Sequence, residues 1–271
     1  MSEIPTLVQK VLDEYIALVN ERLPNTLEEV YLQGSIALGA YVVNSSDIDF
    51  IVITNRRLLE ADAVVLTEIH SKIANGYKNP ELDGVYIIRR DLGRLNLGDE
   101  KYLNYNSGKL SCSSNFDPII WWILKTKGIK IVGTEQTALD FDIHPKHLIS
   151  YVNENMNSYW AQRVEKMETS ITELDNLPTE EIDDEIEWTV LGLLRQFYSL
   201  KEHDIISKLG AGEYALMHLT NEWHPIIKEA INIRKGEKMN IFTSDQERID
   251  LMIRFSKYII HYCKPHYWSN E

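Results

Sequence analysis

Basic residues are in short supply. The 271-residue chain sets 28 Lys and Arg against 41 Asp and Glu, a formal net charge of −13. A protein that grips a nucleic-acid backbone draws affinity from a basic face, so this balance speaks against DNA or RNA as a partner. It suits a cationic substrate, which an acidic cleft attracts. Cysteine is scarce as well. Cys112 and Cys263 are the two present and show no metal-ligand spacing, so neither a zinc site nor a disulfide framework is expected. No apolar run approaches the roughly 20 residues of a membrane span, and the opening MSEIPTLVQK lacks a signal-peptide core. Repeats and low-complexity stretches are also missing, and the histidines form no ligand cluster by spacing. These absences lead to the expectation of a cytoplasmic monomer with no membrane and no nucleic-acid partner.

What is present is apolar content of 44%, enough for the cores of one large domain or two modest ones. Leu7, Val8, Val11, Leu12, Tyr15, Ile16, Val19 and Leu23 recur at helical spacing, which predicts a helix over 5–23. Strands are predicted near 28–33, 47–54 and 85–89, and a helix over 58–75 that Asn75-Gly76 stops. Helix, strand, strand, helix, strand is an α/β order with a mixed sheet. Residues 91–116 read as loop with short elements. Asp117-Pro118 opens a helix that Gly128 ends, and on it Trp121 and Trp122 read as interdomain core. Beyond about 145 helical patterns dominate, over 146–174, 185–201, 207–219, 224–234 and 244–262, with breaks such as Asn176-Leu177-Pro178. The expected architecture is an α/β domain over 1–143 followed by an all-α bundle over 144–271.

The chemistry concentrates in residues 31–53. A strand ends at Gly34-Ser35, and twelve residues on Asp47-Ile48-Asp49 opens an apolar run. Backbone N–H groups at a strand-to-helix corner favour phosphate oxygens. Gly34 permits close approach, and the Ser35 hydroxyl can donate. Alternate strand residues share a face, so the carboxylates of Asp47 and Asp49 project together. Two hard oxygen ligands on a rigid strand suit Mg²⁺, which takes one or two carboxylates plus substrate phosphates.

Gly-Ser, a gap of a dozen residues, then Ser46-Asp-Ile-Asp49 resembles the signature of the nucleotidyltransferase superfamily that includes DNA polymerase β. The wider chain is similar to the aminoglycoside 3″-/9-adenylyltransferases, the streptomycin and spectinomycin resistance enzymes. The resemblance implies ATP as co-substrate and Mg²⁺ as cofactor. AMP would pass to a hydroxyl of a cationic aminoglycoside or aminocyclitol, with release of pyrophosphate. It also implies that Ser46 joins Gly34 and Ser35 at the nucleotide, and that a third acid stands at the start of a strand beside the Asp47-x-Asp49 strand. Asp83 occupies that place, as metal ligand and base, with Glu81 the alternative. The resistance enzymes typically carry Glu there.

In the helical part, residues 180–187 hold six acids and no base. The plain reading is a solvated helix N-terminus favoured by the macrodipole. The resemblance instead places Glu185, Glu181 and Trp188 at the drug, and Arg195 and Lys208 at the nucleotide phosphates. A typical member carries a Trp in the loop before the Asp117 helix; none stands between 91 and 116, where Tyr102 or Tyr105 is the candidate substitute. Which drug is modified is therefore left open. A nucleotidyltransferase acting on a protein or RNA end, and a non-catalytic nucleotide-binding module, are the rival readings.

Overall fold

The computed structural model describes residues 4–43, 45–170, 177–237 and 241–264. The chain separates into two units, Met1–Ile143 and His144–Glu271. In the first, the apolar repeat near the N-terminus forms α1 (Thr6–Arg22), which buries Val8, Val11, Leu12, Tyr15 and Val19 along one stripe. Strand β1 (Leu27–Leu32) leads through the short helix α2 (Gly34–Ala37) to β2 (Ile48–Thr54). Helix α3 (Glu60–Gly76) makes the crossover to β3 (Leu82–Ile88), parallel to β2. A hairpin of β4 (Tyr102–Asn106) and β5 (Lys109–Ser113), helix α4 (Pro118–Lys127) and strand β6 (Ile129–Val132) complete the unit. The six-stranded sheet runs β5-β4-β3-β2-β1-β6 and is mixed, since β2 and β3 are parallel while their other neighbours are antiparallel.

Pleating sorts the side chains of this sheet between two cores. Val30, Leu32, Ile48, Phe50 and Val52 pack with Leu66 and Ile69 of α3 and the stripe of α1. Tyr31, Ile51, Ile53 and Ile87 pack on the opposite face with Trp121 and Leu124 of α4. By alternation Asp49 and Asp83 belong to this second face, at the beginnings of β2 and β3.

Several sequence expectations need correction here. Residues 91–116 carry short elements between loops, as expected, and the longest of these form a hairpin. Tyr102, Leu103 and Tyr105 are buried as β4 pairs with β3, and Ser107 and Gly108, both at positive φ (48° and 74°), turn the chain into the polar edge strand β5. Strand β6 escaped notice because four residues give too little alternation. Trp121 lies in the first unit's own core, 1% exposed, with its indole N–H donating to the Arg94 carbonyl at 2.8 Å. The third strand begins at Leu82 rather than Val85, so Asp83 sits inside it and its side chain is aimed by the pleat.

The second unit is helical: α5 (Pro145–Asn155), a π-helical turn (Met156–Trp160), α6 (Ala161–Thr169), α7 (Thr179–Glu202), α8 (Lys208–His218), α9 (His224–Lys235) and α10 (Asp245–Tyr262). The pattern over 146–174 therefore contains a π turn, and its positions 171–174, like the break at Asn176, lie outside the described residues. Helix α7 packs against α5, α8, α9 and α10. It buries Ile182, Ile186, Val190, Leu193, Leu194 and Phe197, spaced to fill one broad face. It starts six residues earlier than expected, so the acidic run 180–187 lies on the helix itself. Its end is fixed by His203 in the left-handed region, φ 56°.

Candidate active site

Gly34 opens α2 at φ +57°, a backbone setting that favours glycine. A Cβ built there would fall 1.8 Å from an Asp49 carboxylate oxygen, so that carboxylate fills the space a side chain would need. The Gln33 N–H donates to the Asp49 carbonyl at 2.9 Å, which ties the corner to β2. The adjoining Ser35 hydroxyl oxygen is buried and has no hydrogen-bond partner among the described residues. An orphaned buried hydroxyl is costly in isolation and suits an acceptor brought by a ligand. Ser46 is buried, and its hydroxyl oxygen accepts from the Val42 N–H at 3.0 Å, closing the turn ahead of β2.

Asp49 and Asp83 are register partners on the parallel pair β2–β3. Asp47 is exposed at the mouth of the group, and Glu81 is exposed just ahead of β3. Burial pushes the Asp83 carboxyl up to about 6; the Asn106 side-chain amide, which donates to it, pulls the other way, and the charges of Asp47 and Glu81 add to the rise. Asn106 ends β4 at the hairpin turn, and its contact with Asp83 has no local signal along the chain. Among the described residues, no three or more His, Cys, Asp and Glu close into a metal cage. The donor set nonetheless fits Mg²⁺. Carboxylates on adjoining strands beside an orphaned hydroxyl supply part of an oxygen shell, and phosphate oxygens and water usually complete it.

In the second unit the residues singled out from the sequence lie on α7 and α8. Glu181, Asp184, Glu185, Glu187 and Trp188 line an open cavity of about 360 Å³. Glu185 accepts two hydrogen bonds from Arg163 of α6, at 2.7 and 2.6 Å, and one from Thr189 at 2.7 Å. Trp188 lies 4.7 Å from Trp160, centroid to centroid, and the Arg163 guanidinium sits 4.4 Å over its ring. Farther along, the Lys208 ammonium stands 3.1 Å from Glu187, whose same oxygen lies 3.4 Å from Arg234. Burial lowers the pKa of Lys208, Glu187 opposes that, and the nearby cations Arg234 and Arg195 deepen it. Lys208, Arg234 and Arg195 thus lie together in this corner with Glu187. Arg163, Trp160 and Arg234 escaped the sequence reading because helix packing, not spacing along the chain, brings them to the site, and Glu187, inside the acidic run, gave no sign of its pairing with Lys208 and Arg234.

Comparison with known proteins bears on these two sites. Residues 12–103 match the nucleotidyltransferase domain family, and residues 159–258 match the C-terminal domain family of aminoglycoside adenylyltransferases. No curated protein matches the chain. Among solved structures, spectinomycin adenyltransferase AAD(9) from Enterococcus faecialis, crystallised with ATP and spectinomycin, covers 93% of this chain and 99% of its own at 18% identity, with a TM-score of 0.69. That is a likeness of fold. A toxin–antitoxin structure with AMP-PNP covers 59% of this chain and 95% of its own at 17% identity, with a TM-score of only 0.28. The chain joins a region that matches the nucleotidyltransferase domain family to one that matches the C-terminal domain of aminoglycoside adenylyltransferases.

Proposed function

We propose that the protein transfers the adenylyl group of ATP, with Mg²⁺, to a hydroxyl of an aminocyclitol antibiotic of the spectinomycin or streptomycin kind, releasing pyrophosphate. The observation that carries this reading is the pairing of Asp83 with Asp49 beside the Gly34-Ser35 corner. It gives a base and a metal-ligand group on one rigid pair of strands.

In this reading the Gly34 and Ser35 backbone, the Ser35 hydroxyl and Ser46 hold phosphate oxygens, while Arg195 and Lys208 neutralise phosphate charge. Asp47, Asp49 and Asp83 hold the metal, whose chemistry when bound is to offset charge on the phosphate oxygens. Asp83 takes the proton as the drug hydroxyl forms its bond to the α-phosphorus. The bond from that phosphorus to the bridging oxygen breaks, and pyrophosphate leaves with the electron pair. A carboxyl with a pKa near 6 is suited to this, being ionised at neutral pH yet basic enough to accept the proton. Glu181, Glu185 and Trp188 line the cavity that receives the cationic drug.

The test is to incubate the purified protein with ATP, MgCl₂ and each drug, measuring pyrophosphate and the mass of the drug. A gain of one AMP by a particular aminocyclitol is the expected result. AMP found on a protein or RNA end, or ATP binding with no turnover on any acceptor, would overturn it.

A further inference from the structure

Two residues that line the acidic cavity of the helical unit, Glu185 and Trp188, already hold a guanidinium that belongs to the chain. One nitrogen of Arg163 donates to both carboxylate oxygens of Glu185, at 2.7 and 2.6 Å. The same guanidinium lies 4.4 Å over the ring of Trp188. These are the two interactions, a carboxylate and an aromatic face, by which a protein usually captures a foreign guanidinium.

The arrangement is built rather than incidental. The π turn Met156–Trp160 ends immediately before α6, and Trp160 and Arg163, three residues apart, face the same neighbour. Trp160 is 5% exposed and packs over Gly192 of α7, where an added Cβ would meet the indole at 2.6 Å. Trp188 is contacted by Trp160 at 4.7 Å and by Tyr159 at 6.2 Å. Thr189 donates to Glu185 at 2.7 Å, holding the carboxylate toward Arg163.

The charges along the cavity then divide unevenly. Glu185 is matched by Arg163, and Glu187 by Lys208 and Arg234. Glu181 and Asp184 line the same cavity, and no ion pair to either is found among the described residues.

We infer that Arg163 is a specificity residue of the acceptor site. Its guanidinium fills the Glu185–Trp188 position, so that acceptors are held by compact amines at Glu181 and Asp184 and guanidinium-bearing ones are disfavoured. Spectinomycin carries two methylamino groups, whereas streptomycin carries two guanidino groups. The preferred substrate class is therefore an amine-bearing aminocyclitol. The inference rests on the proposed function only in taking this cavity as the acceptor site.

The experiment compares wild type with Arg163→Met, which keeps the side chain's bulk, and with Arg163→Lys, which keeps the charge without the planar stack. Both kcat/KM and, by calorimetry without turnover, Kd are measured for the two drugs. The expected result is that Arg163→Met raises the streptomycin-to-spectinomycin ratio at least tenfold, through KM and Kd rather than kcat, with Arg163→Lys in between. An equal change for both drugs, or a ratio moving toward spectinomycin, would overturn it. If Arg163→Met does not fold, an unchanged ratio in Arg163→Lys does the same. Should wild type adenylylate neither drug, the proposed function fails, but the calorimetry still decides: gained streptomycin affinity in Arg163→Met sustains the inference, and no gain refutes it.

Discussion

Asp49 and Asp83 face one another in register across parallel strands, each the second residue of its strand. Burial first, and then the charges of Asp47 and Glu81, push the Asp83 carboxyl up to about 6 against the pull of the Asn106 amide. Replacing Asp83 by Asn should abolish adenylyl transfer, by about a thousandfold or more in kcat, as expected for loss of a base and a metal ligand together. The same change should stabilise the metal-free protein. A carboxyl whose folded pKa lies above its unfolded value disfavours the folded state once ionised, so the penalty grows as pH rises from about 4 to 6 and is complete above that. Discounted for partial exposure, the gain in Asp83→Asn at pH 7.5 is about 1–2 kcal/mol. Calorimetric melting in EDTA, alongside pyrophosphate release, checks both halves.

Gly34→Ala should damage the same site from the other side. The added methyl meets the Asp49 carboxylate at 1.8 Å, and alanine at φ +57° costs about 1–2 kcal/mol on backbone grounds. Asp49 must swing away, so Mg²⁺-dependent ATP affinity is expected to fall at least tenfold while ATP affinity in EDTA changes little. Titration of ATP with and without Mg²⁺ separates the two; equal losses under both conditions count against a metal role for Asp49.

How much of this was legible beforehand follows from what kind of signal each residue gives. Gly34, Ser35, Asp47 and Asp49 lie within one short segment, where strand alternation and a glycine corner write their arrangement into the local sequence. The mixed sheet and the helical second half followed likewise from apolar periods of 2 and 3.6. The pairing of β3 with β4 did not, because Asn104 and Asn106 interrupt the apolar pattern and β5 is a polar edge; Ser107-Gly108 was the one local signal of a hairpin. Arg163 is silent in sequence, since it meets Glu185 only through the packing of α6 on α7. The same holds for Asn106, which reaches Asp83 across a strand pairing.

His70 supplies a second pH effect, opposite in sign to that of Asp83. It is 1% exposed, stacks on Tyr105 at 3.5 Å, and bonds through Nε2 to the Tyr86 hydroxyl at 2.6 Å, which in turn meets the Tyr15 hydroxyl at 2.5 Å. Burial pushes its pKa down to about 3. The unfolded chain takes up this proton near pH 6.5 and the folded one does not, so stability falls by up to about 1.4 kcal/mol per pH unit below 6.5. In His70→Phe that slope should shrink by about one proton. Urea unfolding of both proteins at pH 7, 6, 5 and 4 reads it; parallel curves would mean that His70 titrates in the folded state.

Glu187 holds Lys208 through both carboxylate oxygens, at 3.1 and 3.3 Å, and the nearer of them lies 3.4 Å from Arg234. Burial already weakens the hold of Lys208 on its proton, and Glu187 is the group that restores it. Glu187→Gln therefore drives the Lys208 pKa further down, so that the ammonium is lost at a lower pH than in the wild type. If Lys208 neutralises ATP phosphates, KM for ATP in Glu187→Gln should match the wild type on the acid side and climb with rising pH before that of the wild type does. Drug KM provides the control, since a general distortion of α7 would raise it as well, and at every pH. A uniform rise in ATP KM across the range, without the alkaline limb, would remove Lys208 from the nucleotide site and leave its pairing with Glu187 as a helix-packing contact.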